Sequence, residues 1–436
     1  MLVAFLSVTG MGGYSMQWVL SWGFIFVQFF LLPSSAKADS LIPIYMLSFG
    51  TTTPVPGALI TSDRTRALEI FTAVTGTKIG IDDVRLMQME ALIAKGKDKE
   101  AAAIATADRA FYNIRIANMA RKMSNRDETV QAPLSDFVAT FVGAVRDDMD
   151  ARSLLTGNFY YRFDSDKMTA AGIKGAPPID INTIRTSNNH YANSANFSMY
   201  DALIRIDGQP MDATGSPLPD AAGLITTRSF MAAHAIAGTN RRLVEYSFRE
   251  FMCVTMQDWK DATRPDDYVG RDVDRFAGGG DTKYQSTCKG CHAQMDGFRQ
   301  AFAYVNFDGS AISYTPMAVQ PKFASNNTVF PAGWITIDDS FANHANGPTN
   351  SDKFGWRTPA SGKGMNDFGK GLANSKGFSR CMVKRVFTEL CKRPPTSDED
   401  PIVRDIADQF ETSYNYKIKS LAEAVAVHPS CLPKGG

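Results

Sequence analysis

The chain has 436 residues, 44% of them apolar and 21% charged, which is enough to bury a sizeable core in two or three compact units. Its 46 basic and 45 acidic side chains leave a net charge of +1. No overall field draws such a protein to nucleic acid or to an anionic membrane, which argues against a nucleic-acid partner.

The N-terminus differs from the rest. Trp18 to Leu32, WVLSWGFIFVQFFLL, is almost wholly apolar and is followed by Ala36-Lys37-Ala38, a small-residue site of the kind a signal peptidase cuts. Residues 1–38 read as an export signal cleaved after Ala38. No Lys or Arg precedes the run, so Met16 as the start, or an uncleaved anchor, stays open. No other segment approaches the ~20 apolar residues of a membrane span, so no span remains after cleavage.

Residues 39–62 are rich in Pro, Thr and Gly and read as a loose lead-in. Helical patterns follow in "DRTRALEIFTAV" and in "DDVRLMQMEALIAKG", the second stopping at Gly96. "DKEAAAIATADRAFYNIRIANMARKMS" reads as one long helix. "LSDFVATFVGAVRDDM" puts Phe137, Phe141, Val142 and Val145 on one face, with Ser135 as the cap. From about 150 to 220 the texture turns to Asn, Ser, Pro and Gly, with a short hairpin expected at "ALIRIDGQPM". "RRLVEYSFREFM" buries Val244, Phe248 and Phe251, and the stretch from Cys288 to Phe302 reads as a loop entering a helix. Residues 306–365 are turn-rich. Two amphipathic helices close the chain: Phe378 to Cys391, and Pro401 to Val427 with Ile402, Ile406, Phe410, Tyr414, Ile418, Leu421 and Val425 in register. The fold class is mainly α, with long irregular loops.

Within five residues, Cys288-Lys289-Gly290-Cys291-His292 offers two thiols and an imidazole. Covalent haem attachment needs two thiols that reach two vinyl groups of one macrocycle and an imidazole directly after the second thiol. Cys-x-x-Cys-His supplies all three in a single turn. Zinc needs two further ligands at comparable spacing, and His190, His234, His344 and His428 are scattered. A thioredoxin-like pair needs a strand before it and a helix after it in a βαβ pattern, which the glycine-rich helical surroundings lack. The expected cofactor is one covalent haem c, with His292 on the iron.

Four cysteines remain. Cys381 and Cys391 share one helix, where ten residues place them ~15 Å apart, beyond a disulfide's Cα spacing of ~4.4–6.8 Å. Cys253 therefore pairs with one of them and Cys431 with the other, unless all four stay as buried thiols.

For the sixth iron ligand the candidates are Met365, Met317 and His344, with an open site as a further alternative. Met295 follows His292 on the same side and cannot reach the distal face. Met365, in "PASGKGMNDFG", is the first choice, because that phrase resembles the methionine loop of class I cytochromes c. Met317, in "SYTPMAV", is the runner-up.

Three stretches taken in order, "AAGLITTRSFMAAHAIAGTNRRLVEYSFREFMC", "CKGCHAQMDGFRQAFAYVNFD" and "FGKGLANSKGFSRCMVKRVFTELCKR", resemble the successive modules of large secreted bacterial proteins that carry planctomycete-type cytochrome c domains. Gly223-Leu224, Arg241-Arg242 through Cys253, Asp296-Gly297-Phe298 after the haem motif, Phe307-Asp308 and Cys381 carry the resemblance. That family usually has Asp-Pro where this chain has Asp296-Gly297. The resemblance implies export, covalent haem and a cytochrome c-like helical haem domain over residues 221–436, after a helical N-terminal domain over residues 39–220. It names no substrate.

The function expected from these readings is that of an exported mono-haem c-type cytochrome passing single electrons between protein redox partners of a bacterial envelope, periplasmic, outer-membrane-associated or secreted. Two alternatives stay open. One is a structural subunit of an envelope complex with the haem as a folding staple. The other is a haem peroxidase-like enzyme with His190 as a distal base, although an isolated loop histidine is expected at the surface.

Overall fold

The computed structural model describes residues 61–170, 180–211, 216–236, 238–324 and 330–432. The chain divides into two compact units, residues 1–58 and 59–436, and the described residues all belong to the second. The apolar run from Trp18 to Leu32 and the cleavage site at Ala38 lie outside them. Among the described residues no helix is long and apolar enough to cross a membrane.

The unit is mainly helical. The first helices, α1 (Ser62–Thr75), α2 (Val84–Ile93) and α3 (Asp98–Thr106), form where the apolar spacing predicts. Thr61 and Asp83 cap α1 and α2 by accepting the backbone N–H of Arg64 and Arg85.

The long helix expected from Asp98 to Ser124 breaks at Asp108. That carboxylate accepts the backbone N–H of Ala110 at 2.7 Å and is held by Arg85 from α2. A short acid that bonds its own backbone competes with the helix. The chain restarts as a π-helical turn, Phe111–Ile116, running into α4 (Ala117–Met123).

Helix α5 (Asp136–Arg146) is buried on every side from Asp136 to Val145, so it is a central post of the core. Ser135 precedes it but makes no side-chain cap bond. Asp136 instead accepts the N–H groups of Arg228 and Ser229 at 2.6 and 3.0 Å, capping the distant helix Arg228–His234.

The hairpin expected near residue 206 is absent. Strand β2 (Leu203–Asp207) pairs antiparallel with β1 (Phe159–Phe163), more than forty residues earlier, with Tyr161 opposite Arg205. Two further two-stranded ribbons, β3 (Val305–Phe307) with β4 (Ile312–Tyr314) and β5 (Ser340–Ala342) with β6 (Ser361–Lys363), stiffen the turn-rich stretch.

Helix α6 (Arg241–Met252) buries Val244, Phe248 and Phe251 as its pattern requires. Near its centre Phe248 stacks on Trp259, ring centres 4.2 Å apart. Helix α7 (Lys289–Arg299) begins within the Cys-x-x-Cys-His motif, and α8 (Gly364–Ala373), α9 (Lys376–Cys391), α10 (Asp400–Thr412) and α11 (Ile418–Val427) come last among the described helices. The single helix expected from Pro401 to Val427 is thus two. Asn415 and Tyr416 adopt positive φ of 48° and 57°, which no α-helix accommodates.

The first and last described helices meet. Arg66 on α1 donates to the carbonyls of Leu432 and Val427, and Thr106 on α3 donates to Glu423 on α11. One hydrophobic core runs from Ala67 to Cys431 and includes residues on both sides of position 220.

The disulfides are Cys253–Cys381 and Cys391–Cys431, with Cα separations of 5.1 and 5.0 Å. This is one of the two pairings left once a Cys381–Cys391 link is excluded.

Candidate functional site

The Cys-x-x-Cys-His motif straddles the start of α7. Cys288 ends a π-helical turn, Tyr284–Cys288, and Lys289 opens the α-helix. Such turns are common at functional sites, because the wider turn redirects a side chain. Cys288 packs against Val269, Val273 and Tyr284. Cys291 packs against the main core, and burial pushes its thiol up. Both are half-buried and neither is in a disulfide.

The first turn of α7 is stitched to the segment before it. Asp261 N–H donates to Gly290 O at 2.9 Å. The amide of Gln294 donates to the carbonyls of Trp259 and Gly290 at 2.6 and 3.0 Å, and that of Asn350 donates to Trp259 O and Gln294 Oε1, both at 2.8 Å. Gln294 and Asn350 are fully buried, so these bonds replace water and lock the backbone that carries the thiols.

His292 is partly exposed, and its Nδ1 lies 3.3 Å from Asp296 Oδ1. A carboxylate accepts, so Nδ1 is the donor in this bond and Nε2 is the nitrogen left to face a metal. Asp296 is fully buried. Arg241 grips it with both arms, Nε to Oδ1 at 2.5 Å and Nη2 to Oδ2 at 2.7 Å, and Gly270 N–H donates to Oδ2 at 3.1 Å. Arg241 also donates through Nη2 to Asp272 Oδ1 at 2.8 Å, and Arg299 Nη1 stands 3.7 Å from Asp272 Oδ2. Burial alone would push the Asp296 carboxyl up, but Arg241 and Arg299 outweigh it and hold the group well below the usual carboxylate range.

The donor set fits a covalently held haem. Two unpaired thiols at a helix start stand beside an imidazole whose Nε2 is the free donor. Among the described residues, no three His, Cys, Asp or Glu side chains converge as a shell for a bare metal ion.

The candidates for the sixth position are dispersed. Met365 is the second residue of α8 and fully buried, rather than in the loop expected from sequence. Its N–H donates to Asp220 Oδ2 at 2.5 Å. Helix α8 meets α7 through Phe368 and Phe298, ring centres 5.6 Å apart. Met317 is 86% exposed with φ 59°. Its loop is pinned by Thr315 N–H to Tyr304 O and Gln320 N–H to Ala303 O. Those anchors, Ala303 and Tyr304, stand eleven and twelve residues beyond His292, roughly 17 Å along a helix. His344 lies nearest the motif in bonding terms: its Nδ1 donates to Ala293 O at 3.1 Å. It packs edge-on against Tyr268.

His190 is not at the surface. It is 4% exposed, and its Nε2 accepts the Phe163 N–H of β1 at 3.1 Å. His190 sits in a short helix, Asn189–Asn193, rather than a loop, and that helix is held against β1, which an isolated histidine in sequence does not reveal.

Sequence reasoning missed the roles of Arg241, Asp272, Gln294 and Asn350. The only local signal was the spacing of His292 and Asp296, which places them on one helix face.

No protein-family model, no curated protein and no solved structure matches the chain.

Proposed function

We propose that this protein is an exported c-type cytochrome carrying one haem, bound through Cys288 and Cys291 and ligated by His292, which passes single electrons between protein partners of a bacterial envelope. The observation that carries the proposal is the differential state of the six cysteines. Four are paired in disulfides, and the two of the Cys-x-x-Cys-His motif alone are free. Disulfides persist where the cytosolic reductants do not reach, and in that compartment a neighbouring thiol pair is kept for other chemistry.

A haem held there supplies a one-electron ferric–ferrous couple. The residues of this chain do the rest. Cys288 and Cys291 fix the macrocycle by two thioether links, His292 presents Nε2, and the Gln294–Asn350 amides keep the turn rigid. A rigid site limits the rearrangement that accompanies each change of charge. For the sixth position Met365 is the first choice and Met317 the runner-up, with His344, whose Nδ1 donates to Ala293 O, or an open site as the remaining alternatives.

The test is the reduced-minus-oxidised absorption spectrum of purified protein. Sharp low-spin bands of a c-type haem in both states are expected. High-spin iron that binds carbon monoxide readily would instead indicate an open site and a catalytic role.

A further inference from the structure

A histidine bound to a metal is tuned by whatever accepts the proton on its second nitrogen, because a charged acceptor makes the ligating nitrogen more basic. At His292 the acceptor is Asp296, one helical turn further on. A partly exposed histidine needs no such partner, since water can satisfy its N–H. Burying a carboxylate there is costly unless it is paired and hydrogen-bonded. Both oxygens of Asp296 are in fact occupied, by the two arms of Arg241 and by Gly270 N–H, so the carboxylate cannot turn away from the ring.

Resting on the haem reading above, we propose that Asp296 is a positioning residue that fixes the His292 ring with Nε2 outward and makes it an electron-rich ligand, lowering the reduction potential of the bound haem. The sign follows from charge. An electron-rich ligand favours the ferric state, which carries one more positive charge than the ferrous. The surrounding cluster does not supply that effect by itself. Asp296 and Asp272 face Arg241 and Arg299, two anions against two cations, so the long-range field largely cancels. In the wild type the influence on the iron therefore travels mainly through one hydrogen bond, and exchange of the Nδ1–H, which a change in cluster charge alone does not alter, is the readout that isolates it.

Asp296→Asn keeps the shape and an acceptor oxygen but removes the charge. The potential of the purified holoprotein is measured by spectroelectrochemical titration, together with the amount of covalently bound haem. The expected result is full haem occupancy with a potential raised by at least ~59 mV, a tenfold change in the ferrous-to-ferric ratio for one electron. Full occupancy with an unchanged potential overturns the role given to Asp296 and leaves the cytochrome reading standing. Wild-type protein without covalent haem overturns the cytochrome reading itself. Because the variant loses a partner of Arg241 and can fail to fold, a second measurement uses the wild-type ferrous holoprotein labelled with 15N-histidine. A slowly exchanging Nδ1–H on the iron-bound histidine supports the assignment, and exchange as fast as that of an exposed ring overturns it.

Discussion

Arg385 on α9 donates through Nη2 to Glu250 Oε2 on α6 at 2.6 Å, and Glu250 is fully buried with its other oxygen lacking a protein partner. Burial, opposed by Arg385, pushes the Glu250 carboxyl up to about 7. A folded value above the unfolded one means that stability from this group is fully present below about pH 4.5 and is lost as pH rises through about 7. The loss from pH 4.5 to 8 amounts to ~3 kcal/mol. Glu250→Gln should abolish that slope in denaturant unfolding measured across the range. Arg385→Met should destabilise the protein by ~1–3 kcal/mol, because the buried Glu250 carboxyl and the carbonyls of Arg249 and Glu250 lose their donor.

Two histidines act in the opposite direction. His234 is fully buried between Phe230 and Tyr246, with neither ring nitrogen bonded to protein. Burial, aided by Arg126, Arg242 and Arg249, takes it down to about 3. Burial and Arg162 take His190 down to about 4. A depressed histidine gives stability that is present above about pH 6.5 and lost as pH falls, at ~1.4 kcal/mol per pH unit for each group. Unfolding followed between pH 6.5 and 4.5 should show His234→Phe losing less stability than wild type. An equal slope in the two proteins would contradict the assignment.

The disulfides differ in the loops they close. Cys253–Cys381 spans 128 residues and Cys391–Cys431 spans 40. Loop-closure entropy gives ~5 and ~4 kcal/mol for the two. Cys391→Ala with Cys431→Ala should therefore lower the denaturant midpoint. It should also loosen α11 first, since that link ties the end of the chain to α9. Hydrogen exchange focused on residues 418–427 reads the local effect.

Gly297 lies where β5 crosses α7, and a Cβ added to it would stand 2.5 Å from Ala342 O. That oxygen is backbone and cannot swing aside. Gly297→Ala should cost ~1–3 kcal/mol of stability, read as a lower thermal midpoint. A variant as stable as wild type would mean that β5 is free to move away.

What was legible in the sequence was local. The Cys-x-x-Cys-His run, the amphipathic patterns of α1, α6 and α9, and the impossibility of a Cys381–Cys391 bridge all follow from spacing along one helix. What was hidden depended on residues far apart in the chain. The grip of Arg241 on Asp296 joins residues 55 apart, and Asp136 caps a helix that begins 92 residues later. The break at Asp108 required the contact with Arg85 on another helix. Met365 looked like a loop ligand because Gly and Lys surround it. Asp220, 145 residues earlier, accepts its N–H and anchors the helix start there.

The most direct measurement is the intact mass of the purified protein, paired with haem staining after denaturing electrophoresis, for wild type and for Cys288→Ala with Cys291→Ala. Wild type should carry the mass of one porphyrin and a stain that survives denaturation, and the double variant should lose both. A colourless wild-type protein whose mass matches the bare polypeptide would contradict the claim that these thiols hold a haem.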